Sequence, residues 1–170
     1  MTQSTVRIGF STTDRILSRF IRWVSGSRVS HAWIVLPDPN FGCDMVLEAH
    51  ETGFRLVPWD EWIDGEVIIK ILPAPCDLSA GLKDIARFIG RPYDVGGLFG
   101  MAIVLIGRRF KKKWKNPLRS TWSVFCSEAV VRILQASDFE PARDLDPETI
   151  GPEGLLNLLE AYGDASPPPQ

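Results

Sequence analysis

Two short strand patterns, joined by a stretch of turn chemistry, constrain this chain more than any other feature. Residues 30–36 read SHAWIVL and residues 44–50 read DMVLEAH. In a strand, side chains alternate between faces, so His31, Trp33 and Val35 share one face, and Ala32, Ile34 and Leu36 share the other. In the second segment Val46, Glu48 and His50 share a face. Between them PDPNFG at 37–42 supplies turn residues. The pair predicts an antiparallel hairpin. With Leu36 opposite Cys43, His31 falls opposite Glu48; a one-residue slip puts His31 opposite Ala49 instead. Glu48 stands among apolar neighbours, and a buried carboxylate is costly unless it has a partner. His31 is the natural candidate, and His50 offers a second group for the same orienting role.

The remaining segments supply a sheet and helices around this hairpin. Val6, Ile8 and Phe10 alternate as a strand. Thr13 and Asp14 precede a helical pattern of Ile16, Leu17, Phe20, Ile21 and Val24, stopped by Gly26. Phe54–Val57 and Glu66–Leu72 read as strands. Asp77 caps a helix carrying Leu78, Leu82, Ile85, Phe88 and Ile89, ended by Gly90. A last long helix begins near Trp122 and carries Phe125, Ala129, Val130, Ile133 and Leu134. Leu155–Leu159 predicts a further short helix. The 170 residues are 45% apolar and 24% charged. That is ordinary globular composition and excludes a disordered chain or a disulfide scaffold. The expectation is one α+β domain over residues 1–163 and a disordered tail over 164–170.

Three cysteines, at 43, 76 and 126, and two histidines, at 31 and 50, fit neither a zinc site nor a disulfide framework. No cofactor or metal is called for. Cys126 has the most suggestive setting. Ser123 is a good N-cap, which puts Cys126 at the third helical position, among free backbone N–H groups at the positive end of the helix dipole. Such a position favours thiolate. Position alone leaves two readings open: a nucleophile with a histidine as its base, or a small apolar filler on an amphipathic helix. Cys43 in a turn and Cys76 before a helix cap read as structural.

The order SHAWIVL, VLEAH, GRPYDVGG (90–97) and FCSEAVV (125–131) resembles the NlpC-type papain-like cysteine peptidases. It is most similar to their circularly permuted branch, the YiiX/YebB-like and lecithin:retinol-acyltransferase-like proteins. There the histidine strand precedes the cysteine helix, as it does here. The resemblance runs from about Ser11 to Leu134. It implies a central antiparallel sheet packed against helices, with the nucleophile at a helix N-terminus. By that resemblance Cys126 is the nucleophile, His31 the base and Glu48 the third, orienting member. Tyr93 matches a tyrosine that lies near the cleft. Phe125 stands where unpermuted members carry aspartate, and Glu128 where they carry glycine. The implied chemistry is acyl transfer through a thioester, most simply hydrolysis of an amide bond in a peptide or a peptidoglycan stem. Two other functions compete with it: a lipid-directed thiol acyltransferase or acyl hydrolase, and a non-catalytic binding module on the same scaffold.

The segment after Tyr93 bears on that choice. Ten apolar or glycine residues, 98–107, run directly into RRFKKKWK. Ten is half the roughly 20 needed to span a bilayer. Arg108, Arg109, Lys111, Lys112, Lys113 and Lys115 leave two readings open: contact with an anionic surface such as lipid or wall polymer, or a core helix followed by a solvated basic loop. From Arg108 to Arg119 there are seven basic residues and no acid, which leaves 12 basic against 21 acidic residues, a net of −9, elsewhere. That balance, with no reading motif, argues against a specific nucleic-acid partner. The N-terminus lacks the pattern of a secretory signal. The expectation is therefore a cytoplasmic protein, with a phage or prophage origin as one route to a wall substrate.

Overall fold

The computed structural model describes residues 6–15, 18–19, 22–23, 26–50, 53–91 and 126–165. Five strands form one sheet: β1 (Arg7–Thr12), β2 (His31–Asp38), β3 (Cys43–His50), β4 (Gly53–Pro58) and β5 (Val67–Pro73). The spatial order is β4-β3-β2-β1-β5. Every neighbouring pair is antiparallel. Four helices are labelled here: α1 (Trp59–Trp62), α2 (Ser79–Ile85), α3 (Cys126–Ala136) and α4 (Pro152–Ala165). Residues 18, 19, 22 and 23 are also helical, and Gly26 beyond them has φ +66, a conformation glycine adopts without strain. The molecule is thus α+β with an antiparallel sheet.

The period-2 pattern of the strands decides what each face of the sheet meets. Ile8, Phe10, Ala32, Ile34, Leu47 and Ala49 face α3, whose Ala129, Val130, Ile133 and Leu134 complete the main core. Trp33, Val35 and Val46 face the other way and form a second cluster with Trp62 of α1. Gly9 lies opposite Trp33 on β1, and the indole occupies the space a side chain would need: a Cβ there would sit 2.2 Å from the ring. Gly81 plays the same part between helices. A Cβ at Gly81 would lie 2.1 Å from the Ile133 carbonyl oxygen, so α2 packs directly on the backbone of α3. The helix bearing Cys126 is therefore clamped between a sheet face and a second helix.

The hairpin forms, but its register differs from the expected one. Leu36 pairs with Met45 and Asp38 with Cys43, a shift of two residues. The turn is shorter than its composition suggested. Asp38 accepts hydrogen bonds from the Asn40 N–H (2.7 Å) and the Phe41 N–H (3.4 Å), and its carbonyl accepts from Gly42. Pro37 consequently stays in β2, at a level beyond Arg7, the first residue of β1. A shift of two preserves the faces. Glu48 moves from the level of His31 to that of Trp33 yet still projects toward the imidazole.

Three helices also depart from expectation. α2 stops at Ile85 and continues as a 3₁₀ turn over Ala86–Phe88, leaving Ile89 exposed. Asp77 accepts from both the N–H (3.0 Å) and the hydroxyl (2.6 Å) of Ser79, a turn that starts α2 just ahead of its first residue. α4 spans 14 residues rather than the five of Leu155–Leu159, and it runs two residues past the expected domain end at 163. Its buried Leu155, Leu156 and Leu159 anchor one stripe on the core, while Glu153 ties its first turn to Ser27 and Arg28. α1 follows Pro58 in a stretch with no helical periodicity. Among the described residues no helix is long and apolar enough to cross a membrane.

Candidate active site

β2 and β3 stop pairing at Ile34 and Leu47, so His31, Ala32 and Trp33 lie past the end of that ladder. The start of α3 meets them there. Cys126 Sγ is 4.0 Å from the Ser30 carbonyl oxygen, and the backbone N–H groups of Ala32 and Ser127 point at the sulfur. The thiol and the His31 side chain are close enough for each to draw the other toward its charged form. His31 Nε2 is 2.6 Å from Glu48 Oε2. Cys126, His31 and Glu48 are thus brought together, with the imidazole in contact with the carboxylate and neighbouring the sulfur.

Glu48 is held by more than the imidazole. Its Oε2 also accepts from Trp62 Nε1–H (2.8 Å), and its Oε1 accepts from Arg55 Nε–H (2.8 Å), with Arg55 Nη2 at 2.7 Å. The side chain is 1% exposed. Such burial would be prohibitive for a lone carboxylate, and four donors on two oxygens offset it. Arg55 sits directly opposite Glu48 in the β3–β4 ladder. Neither Arg55 nor Trp62 emerged from the sequence. An arginine at the matching position of the next strand was a usable signal for Arg55. Trp62 comes from a four-residue helix that the sequence does not announce.

The electrostatics follow from these contacts. Burial pushes the Glu48 carboxyl up, but hydrogen bonds and charge from His31, then Trp62 and Arg55, overcome it and hold the group at about 2. Burial likewise pulls the His31 imidazolium down. Hydrogen bonds from Cys126 and Glu48, together with their charges, more than reverse this and raise it from 6.5 to about 10. Burial raises the Cys126 thiol, while His31 and the Ala32 and Ser127 N–H groups pull it below its ordinary value. The thiol is thus shifted toward thiolate and the imidazole toward imidazolium, each by the other. At pH 6, iodoacetamide is expected to alkylate Cys126 on the order of a hundredfold faster than Cys76. The Cys76 thiol is pushed up by burial and by Asp77, which makes it an internal reference. Peptide mapping by mass spectrometry measures both rates, and equal rates would refute a thiolate at Cys126.

The other candidates fall elsewhere. His50 Nε2 lies 2.9 Å from the Arg15 guanidinium, so Glu48 rather than His50 is the group on the His31 ring. Glu128 is buried and paired with Arg132 one turn along α3 (2.8 Å). Cys43 and Cys76 are free thiols remote from His31 in the hydrogen-bond pattern: Cys43 contacts Met45, and Cys76 contacts the Ser137 carbonyl. Tyr93, the Ser123 cap and the segment with Arg108, Arg109, Lys111, Lys112, Lys113 and Lys115 lie outside the described residues. Among the described residues no cluster of three or more His, Cys, Asp or Glu side chains is arranged to hold a metal ion. No family model matches the chain, and no curated protein is detectably similar to it.

Proposed function

We propose that the protein is a thiol-dependent hydrolase that cleaves an amide bond of a peptide or peptidoglycan stem through a Cys126–His31–Glu48 triad. The observation that carries this reading is a buried thiol interacting with the His31 side chain, whose ring in turn lies 2.6 Å from the Glu48 carboxylate. The thiolate attacks the carbonyl carbon. The Cys126 backbone N–H receives the oxyanion. Protonated His31 gives its proton to the departing amine, and a thioester on Cys126 remains. Water then attacks the thioester while His31 takes up the water's proton. The carboxylic acid leaves and the sulfur is restored. Glu48 keeps its charge throughout and fixes the orientation of the imidazole.

The test is to trap the thioester. The wild-type protein, mixed with activated esters and with a panel of short peptides and muropeptides, is quenched in acid and weighed intact. The expected result is a single acyl adduct that maps to Cys126, together with amide cleavage of at least one panel member. Adducts spread equally over Cys43, Cys76 and Cys126, or an adduct that survives in Cys126→Ala, would refute the reading in favour of a non-catalytic module.

A further inference from the structure

Behind the thiol lies a group of buried hydroxyls with no part in the chemistry above. Thr12 ends β1, Ser18 is helical, and Ser30 immediately precedes β2. The three are 7%, 8% and 5% exposed. Their side chains close a triangle. Ser30 Oγ–H donates to Thr12 Oγ1 (3.1 Å), Thr12 Oγ1 and Ser18 Oγ are 3.2 Å apart, and Ser18 Oγ meets Ser30 Oγ in a short hydrogen bond. The Thr13 N–H adds a fourth contact by donating to Ser18 Oγ (3.0 Å). Within such a ring each hydroxyl donates to one neighbour and accepts from the other, so burying it strands no polar atom. The Ser30 backbone is fixed as well, its N–H donating to the Ser11 carbonyl (3.1 Å).

We propose that this hydroxyl ring is a positioning device for the nucleophile, setting the backbone of residues 30–32 against which the Cys126 sulfur rests. The inference rests on the thiol being the nucleophile. Residues 30–32 bring three groups to one sulfur: the Ser30 carbonyl, the His31 ring and the Ala32 N–H. They lie past the end of the β2–β3 ladder, so that ladder does not hold them on its side. On the other side they pair with Ser11 and Phe10 of β1, and the hydroxyl ring adds a side-chain restraint where β3 contributes none. It joins the end of β1, a helical residue and the start of β2 in one closed network, and hydrogen bonds in such a network reinforce one another. Small displacements at a reacting centre are costly, so a rigid support behind it has chemical value.

The test reads the acidity of the thiol. Iodoacetamide alkylation of Cys126 is followed against pH in the full chain and in Thr12→Val, Ser18→Ala and Ser30→Ala. Thr12→Val removes a hydroxyl at nearly constant shape and stands in if Ser30→Ala fails to fold. Among the described residues the titratable and charged groups nearest the sulfur are His31 on β2 and, beyond it, Glu48 on β3 with Arg55 on β4; all four proteins retain these. The expected result is an acid limb moved up by about one pH unit, a roughly tenfold slower reaction at pH values on that limb and little change on the plateau above it. Ser137→Ala is the control. It removes a hydroxyl that accepts from the Gly81 N–H (3.1 Å), far along α3 from the thiol, and lowers melting temperature without moving that limb. Ring variants that melt earlier yet keep the wild-type limb would overturn the positioning role and leave the nucleophile reading intact. A wild-type thiol with ordinary acidity would overturn both.

Discussion

Cys126→Ala is expected to lower turnover by on the order of 10⁶-fold, about 8 kcal/mol of barrier, while leaving the protein folded. Only a sulfur and its immediate packing are lost at a small, mostly buried position, a change that costs about 1 kcal/mol or less of stability. The chemical loss is far larger because no other described thiol reaches the His31 ring. His31→Ala is expected to do comparable damage. The double variant is then little worse than either single one, because a nucleophile without its base, or a base without its nucleophile, has already lost the shared step. Steady-state assays with the substrate identified by thioester trapping measure all three. A Cys126→Ala protein within tenfold of wild type would end the nucleophile assignment.

Glu48→Ala is expected to destabilise the fold by about 3–5 kcal/mol, the cost of breaking a buried ion pair by removing one member. Three groups lose their common acceptor: the Arg55 guanidinium, the His31 ring and the Trp62 indole N–H. The indole alone, left buried without an acceptor, accounts for about 1–3 kcal/mol. The pH dependence gives the loss a signature. The folded-state value of Glu48 lies below its ordinary 4.5, at about 2. Its stabilising contribution is therefore complete above pH 4.5 and disappears as pH falls through about 2. Urea unfolding of wild type and variant is expected to show a gap at pH 7 that narrows across this acid range. A gap that is absent at pH 7, or constant down to pH 2, would show that the carboxylate is not held as described.

Much of the site was readable because strands alternate. That His31 and Glu48 share a face follows from parity alone, and parity survives a two-residue error in register. The error arose in the turn, where two prolines and a glycine suggested a six-residue connection. The Asp38 side chain instead closes a shorter one and keeps Pro37 in the strand. Cys126 was legible as a thiol on an amphipathic helix, while the Ser123 cap expected to start that helix lies outside the described residues. The Glu48 surroundings were not: Trp62 arrives on a four-residue helix without periodicity, and Arg55 gains meaning only once β4 is paired with β3. The hydroxyl ring was equally silent. Thr12, Ser18 and Ser30 are common residues that take on significance only through their mutual distances.

All five strands precede α3 in the chain, so the imidazole and its carboxylate are assembled by the first half and the sulfur is delivered by the second. Chains emerge from the ribosome N-terminus first. A nascent or partly folded molecule therefore carries a thiol of ordinary acidity, protonated and slow to react. On the proposed reading, the reactive pair comes into being only when α3 docks on the sheet, so that folding itself supplies the activation step.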